Sequence, residues 1–217
     1  MAVLYFILIA LGAYFFGGLN GALITSRLVH GEDIRQHGSG NAGLTNFYRT
    51  YGKRAVFLLV LIDVIKTALP VIVGGMLIES ALDFGTVTDR LLIGRTWGGL
   101  FSMIGHAYPC LYQFKGGKGV LSGGTMALFV DIRIFGILLL LFVLTVLLTR
   151  YISLGSILAG LGFPIAYIVL GINIWATGLA ILCGAFVIYR HRENIVRLCK
   201  GQERKFSFSR KKEAESS

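Results

Sequence analysis

Charge is what this sequence has least of. Asp, Glu, Lys and Arg make up 15% of its 217 residues, against 55% hydrophobic residues, where ordinary globular chains are about a quarter charged. So little polar surface cannot cover one soluble core of this size. The same balance excludes disorder, because disordered chains are poor in apolar residues. Proline is scarce, with 3 residues, and the 29 glycines follow no G-X-Y period, so no collagen-like helix can form. The three cysteines, Cys110, Cys183 and Cys199, lack CxxC or Cys/His ligand spacing. They read as reduced packing residues, without disulfide or zinc. Residues 2–25 contain no Lys or Arg, so this apolar start lacks the basic segment of a signal peptide and reads as a retained span. The solvent for most of this chain is lipid.

Several catalytic signatures are also missing. The fifth residue after His30, His37, His106 and His191 is Arg35, Ala42, Leu111 and Val196, so no His-x-x-x-x-Asp pair exists. No carboxylate cluster suits two divalent metals, and no Gly-x-Ser-x-Gly elbow or Ser/His/Asp set occurs. Neither a covalent acyl-enzyme nor a metal or other cofactor is indicated. What remains is an inventory for binding one or two phosphates.

The apolar runs predict an all-α polytopic membrane protein with seven spans, at about 2–25, 55–78, 91–111, 119–130, 134–149, 154–170 and 174–189. About 20 apolar residues cross a bilayer, and runs of ten to fourteen can be re-entrant, which makes the third and fourth the weakest. Formal net charge is +10. In a soluble protein that would suggest nucleic acid. Here the charge alternates between connections instead, and no nucleic-acid partner is expected. Arg27, Arg35, Arg49, Lys53 and Arg54 fill the first connection, Lys115 and Lys118 the third, Arg150 the fifth, and the tail after Arg190 is basic. The second carries Glu79, Asp83, Asp89 and Arg90, the fourth Asp131 and Arg133, and the sixth nothing. By the positive-inside rule the amino terminus is outside and the carboxyl tail cytoplasmic. Residues 1–209 read as one integral-membrane domain and 210–217 as a disordered polar tail. Small-residue spacings at Gly17/Gly21, Gly155/Ala159 and Ala180/Gly184 would allow close helix packing.

Four polar clusters all fall on the predicted cytoplasmic side. The first runs from Asp33 through Ser39, Asn41, Thr45, Asn46 and Arg49. Its glycines let backbone N–H groups approach an anion, and a helix starting near Gly43 would put Thr45 and Arg49 on one face. The alternative is a Gly/Asn turn capping the second span. The second is His106-Ala-Tyr-Pro109, then Lys115-Gly116-Gly117-Lys118-Gly119, two lysines bracketing glycines before a helix. It follows phosphate-loop logic without being a Walker A, because Gly119 replaces the Ser or Thr. A basic loop beside anionic lipid is the competing account. The third, around Ser153, is a weak signal by itself, since a Ser at a helix start is usually a cap. The fourth holds His191 and Asn194 at i, i+3 and then Glu203. A histidine there could bind phosphate or shuttle a proton, while Arg190, Arg192 and Arg197 read as a topology-setting basic stretch. Asp63 and Lys66, at i, i+3 inside the second span, read as a structural ion pair.

The runs Asp33-Ile-Arg…Gly-Ser39-Gly-Asn41…Thr45-Asn46…Arg49, Gly105-His106…Pro109…Phe114-Lys-Gly-Gly-Lys-Gly-Val120, and Tyr189-Arg-His191-Arg…Asn194…Gly201…Glu203 resemble the three motif regions of the PlsY family. These are bacterial acyl-phosphate:glycerol-3-phosphate acyltransferases of the cytoplasmic (inner) membrane. The likeness covers nearly the whole chain in order. It implies a metal-free, seven-helix enzyme that moves a fatty acyl group from acyl phosphate to the 1-hydroxyl of glycerol 3-phosphate, giving lysophosphatidic acid for phospholipid synthesis. It also implies functional coupling to an acyl-phosphate-producing enzyme. Ser39, Arg49, His191 and Asn194 would hold glycerol 3-phosphate, and Lys118, Thr45, Ser153 and the Gly116 and Gly117 amides the acyl phosphate. Asn41, Asn46, Lys115 and Gly119 complete the candidate substrate-binding set, while Glu203 would be structural. The donor's own phosphate would take the proton, with His191 the alternative base. Gly18-Leu19-Asn20 stands where the family commonly has Ser-x-Pro, and Leu121-Ser122 where Ala-Thr is usual. The competing class is a membrane transporter of a phosphorylated solute, against which stands the lack of two matching halves with broken helices.

Overall fold

The computed structural model describes residues 1–206; the expected disordered tail, 210–217, lies outside the described residues. All regular structure among them is helical: α1 Ala2–Gly17, α2 Gly21–His30, α3 Leu44–Tyr51, α4 Val56–Ala81, α5 Val87–Ala107, α6 Val120–Val130, α7 Ile132–Thr149, α8 Ile152–Val169, α9 Ile174–Arg190 and α10 Arg192–Cys199, with short 3₁₀ turns at Ile34–Gln36 and Cys110–Tyr112. Large apolar side chains face outward along these helices, among them Leu148, Phe57 and Ile174 at 84%, 79% and 76% exposure. Side chains of this kind belong in hydrocarbon.

The expected first span divides into two helices. Asn20 ends the first run by capping α2, its Oδ1 accepting the Leu23 N–H at 3.0 Å, while its Nδ2 donates to the Ala42 carbonyl at 3.1 Å. The departure at 18–20 is therefore a brace for the first polar loop. Four stretches are long and apolar enough to cross a bilayer: Ala2–His30, Val56–Ala81, Ile132–Thr149 and Ile152–Val169. A fifth is reached if α9 and α10, bent by 57°, count as one. The helix α5 starts earlier than expected, at a Thr86–Asp89 capping box, and ends at Ala107 rather than 111. The 11-residue α6 rises about 16 Å at 1.5 Å per residue, half of the roughly 30 Å hydrocarbon core.

Glycine sets how closely the helices approach. A Cβ on Gly98 would strike the Pro70 carbonyl, bringing α4 and α5 into backbone contact, and a Cβ on Gly184 would strike the Gly160 carbonyl between α9 and α8. The main apolar core joins α1, α4, α5, α6, α7, α8 and α9 around Met103, Ile134 and Tyr167, whose hydroxyl meets Thr96 at 2.7 Å. A second, smaller core of Ala22, Leu23, Ile34, Ala42, Phe47 and Leu59 fastens the 33–51 segment to α2 and α4.

Candidate functional site

The first polar loop is shaped by its own side chains. Asn46 is buried; its Oδ1 accepts the Ser39 N–H at 2.9 Å, and its Nδ2 donates to the His37 and Ile34 carbonyls at 2.9 and 3.3 Å. Both amide protons are thus committed to the fold of the loop, which presents Ser39 at its exposed tip. Gly38 has φ +61°, and a Cβ there would strike Asn46 Oδ1, so glycine is required. As the spacing predicts, α3 begins after Gly43 and carries Thr45 and Arg49. Among the described residues no hydrogen bond or ion pair engages the Arg49 guanidinium. Partial burial lowers its pKa, as does Arg204 nearby, against Glu203.

The second loop folds back on α5. The Gly116 N–H donates to the Ala107 carbonyl at 3.1 Å, and the Gly117 N–H to the His106 carbonyl at 3.2 Å. This corrects the expectation that these two amides hold an anion: they satisfy the carbonyls left open at the end of α5. The amides free to do so are those opening α6, which starts after Gly119 (φ +80°) with no side-chain cap. Arg35 clamps this loop to the first one. It forms a fork on Asp33 at 3.0 and 2.7 Å and donates to the Tyr112 and Lys115 carbonyls at 2.8 and 3.3 Å. The Arg35 bonds hold the Asp33 carboxyl far below the usual carboxylate range.

The third region joins them. The chain bends at His191, which closes α9 and opens α10. Its Nδ1 lies 2.8 Å from the Val187 carbonyl, which can only accept, so Nδ1 carries the proton and Nε2 the lone pair. Burial first, then Lys118 and Arg190, bring its pKa down to about 4 against the Val187 bond, so the ring is neutral. Lys118 Nζ bonds Asn194 Oδ1, Asn194 Nδ2 donates to Glu203 Oε1 at 2.7 Å, and Arg197 Nε donates to Glu203 Oε2 at 2.8 Å. Although partial burial pushes it up, the Arg197 and Asn194 bonds hold Glu203 below its ordinary pKa. Burial, then Arg197, lowers Lys118 to about 8.

All three regions open on one cavity of about 1470 Å³. Ser39, Asn41, Thr45, Asn46, Arg49, Lys115, Gly116, Lys118, Gly119, Ser153, His191, Asn194 and Glu203 line it, as does Asp63; Gly117 and Lys66 do not. From this cationic part the same cavity continues along α6 to Leu128, about 12 Å beyond Val120, and between Phe135, Leu138 and Phe142 of α7 and Phe163 of α8. Among the described residues no group of three or more His, Cys, Asp or Glu side chains is placed to hold a metal ion.

The sequence profile of the family described as glycerol-3-phosphate acyltransferase matches residues 7–201. The chain belongs to that family. It is 37% identical over 203 residues to glycerol-3-phosphate acyltransferase 2 of Bacillus cereus, covering 92% of this chain and 94% of the relative. It is 38% identical to the glycerol-3-phosphate acyltransferase of Bacillus cytotoxicus, covering 97% and 99%. It is 37% identical to that of Finegoldia magna, covering 94% and 98%. The fold matches the crystal structure of PlsY (YgiH), an integral membrane glycerol 3-phosphate acyltransferase, in its glycerol 3-phosphate form. The TM-score is 0.80 at 34% identity, over 93% of this chain and 96% of that one. The lysophosphatidic acid form matches with a TM-score of 0.78 at 32% identity. The motif resemblance is thus borne out.

Within this acyltransferase-family chain, three residues acquire parts that sequence reasoning missed. Arg35 clamps the two loops. Arg190, read as a topology anchor, donates to the Gly117 carbonyl at 2.9 Å and stacks 4.7 Å over Tyr108. Arg197 holds Glu203. Their position inside motif runs was the available signal; a basic residue at a membrane border otherwise looks like a topology determinant.

Proposed function

We propose that this chain, as one integral-membrane domain, transfers a fatty acyl group from acyl phosphate to the 1-hydroxyl of sn-glycerol 3-phosphate, releasing lysophosphatidic acid and phosphate for phospholipid synthesis. We place it in the bacterial cytoplasmic membrane as a seven-crossing protein, amino terminus outside and carboxyl terminus inside, coupled to an enzyme that makes acyl phosphate. The observation that carries this reading is one cavity that is cationic at the loops and apolar along α6 to α8. Such a space suits a phosphorylated head and a hydrocarbon tail together.

An acyl phosphate is a mixed anhydride with phosphate as leaving group, so no protein nucleophile is needed. The enzyme must bring two like-charged phosphates together and place a hydroxyl at a carbonyl carbon. Arg49, Ser39 and Asn194 suit the glycerol 3-phosphate. Lys118, Thr45 and the amides opening α6 suit the acyl phosphate, where they offset the charge that grows on the leaving group. The hydroxyl oxygen forms the ester bond as the bond from carbonyl carbon to phosphate oxygen breaks. The hydroxyl proton passes to the departing phosphate. His191 Nε2 can accept that hydroxyl's hydrogen bond and orient it, but with a pKa of about 4 it is a weak final base. Glu203 orients Asn194 and stays structural.

Purified protein in lipid, given glycerol 3-phosphate and palmitoyl phosphate, will form lysophosphatidic acid and phosphate one to one. Glycerol 3-phosphate uptake into vesicles without acylated product would overturn the reading in favour of a transporter.

A further inference from the structure

Among the described residues, the most deeply buried ion pair has no place in the chemistry above. Asp63 and Lys66, 1% and 2% exposed, pair at 2.7 Å inside the membrane-spanning part of α4. Charges at this depth are expensive and persist where they are paired and used. Asp63 Oδ1 also accepts the Gly21 N–H at 2.9 Å, tying down the start of α2. Lys66 Nζ lies 2.7 Å from Nδ1 of His106 on α5. An ammonium only donates, so His106 Nδ1 is the acceptor and Nε2 carries the proton. The ring is then held in one tautomer and one orientation.

The other edge of that ring meets the second loop. A Cβ on Gly117 would strike His106 Nε2 and would come within 3.0 Å of Cε1 and 2.7 Å of the Ala42 carbonyl. Gly117 therefore sits pressed between the histidine ring and the first loop, whose Ala42 carbonyl is itself held by Asn20. The His106 backbone carbonyl takes the Gly117 N–H. Gly117 thus rests on His106 through both backbone and side chain, and it stands immediately before Lys118.

We propose that Asp63, Lys66 and His106 form a positioning relay in which the fixed histidine ring sets the height of Gly117, and so the spacing between the two loops that hold the reacting anions. The inference rests on the two-anion reading above. None of the three residues needs to touch substrate. A misplacement of about 1 Å costs on the order of a hundredfold in rate, so the relay acts on turnover. Each loop keeps its own set of phosphate ligands while the distance between the sets changes, so binding of either substrate is little affected.

Two measurements test the relay. In the parent protein labelled with ¹⁵N-histidine, His106, identified by its absence in His106→Gln, will show a bare Nδ1 and a protonated Nε2. A protonated Nδ1 overturns the proposal. In the kinetic test, His106→Ala loses roughly a hundredfold in kcat with KM for both substrates within about threefold. His106→Gln, whose amide reaches the same depth, recovers at least about a tenth of the parental rate. A loss carried by KM, or equal rates for the Ala and Gln variants, overturns it. Should His106→Ala fail to fold, the charge-neutral double variant Asp63→Asn/Lys66→Met takes its place: parental kcat in that folded protein overturns the relay, and reduced kcat with unchanged KM supports it. Failure of the acyl-transfer reading is separate, since it would show as no product from the parent enzyme, leaving the ¹⁵N result to judge the relay.

Discussion

Replacing Lys118 with Met keeps the length of the side chain and removes its charge. An ammonium about 4 Å from a phosphate charge contributes about 4 kcal/mol at an effective dielectric constant near 20. Arg49 and Arg197 line the same cavity and would recover part of that, leaving a loss of about 3 kcal/mol, or somewhat more than a hundredfold in kcat/KM for the acyl phosphate. A second cost falls on stability. Asn194 Oδ1 loses its donor, and a buried unsatisfied acceptor costs about 1–3 kcal/mol. Initial rates of lysophosphatidic acid formation in liposomes, with a thermal melt of the same preparation, separate the two effects. A folded Lys118→Met variant within tenfold of the parent would refute the placement of the acyl phosphate at the start of α6.

Arg49→Ala will lose at least about a hundredfold in turnover, as for other lost electrostatic donors. Arg49→Lys will restore it only in part, because the planar fork is gone; near-parental rates in the folded Ala variant would remove Arg49 from the site. With a pKa of about 8, Lys118 is charged at pH 7 and about nine-tenths neutral at pH 9. In the parent kcat/KM for acyl phosphate will therefore fall as pH rises through 8, and Lys118→Arg, charged throughout, will flatten that limb. Gly98→Leu drives a side chain into the Pro70 carbonyl. Overpacking of this kind costs about 2 kcal/mol, or about 4–8 °C in apparent Tm for a chain this long. Gly124→Ala, inside α6 with nothing within 4 Å of the added methyl, will not lower Tm and will raise it by about 1–4 °C, because Ala is the better helix former by about 0.5–1 kcal/mol.

Parts of the site were legible because they depend on local chemistry. Glycines beside basic residues announced both anion loops, and the i, i+4 spacing of Thr45 and Arg49 placed them on α3, which starts after Gly43 as expected. The fate of particular N–H groups was not legible. The Gly116 and Gly117 amides looked free in sequence and are taken by α5 carbonyls about ten residues earlier. Arg35 reaches a carbonyl 77 residues away and Arg190 one 73 residues away, distances over which periodicity carries no information.

Composition and charge, read along one chain, determined that lipid is the solvent and that the polar motifs gather on one face. Partitioning between water and hydrocarbon acts on each segment separately, and so does the charge bias of each connection. The break before Asn20, the short α6 and the Asp63–Lys66–His106 contact came only from the tertiary structure. Each depends on which backbone atoms of distant segments come within hydrogen-bonding reach, and helix packing through glycine contacts decides that.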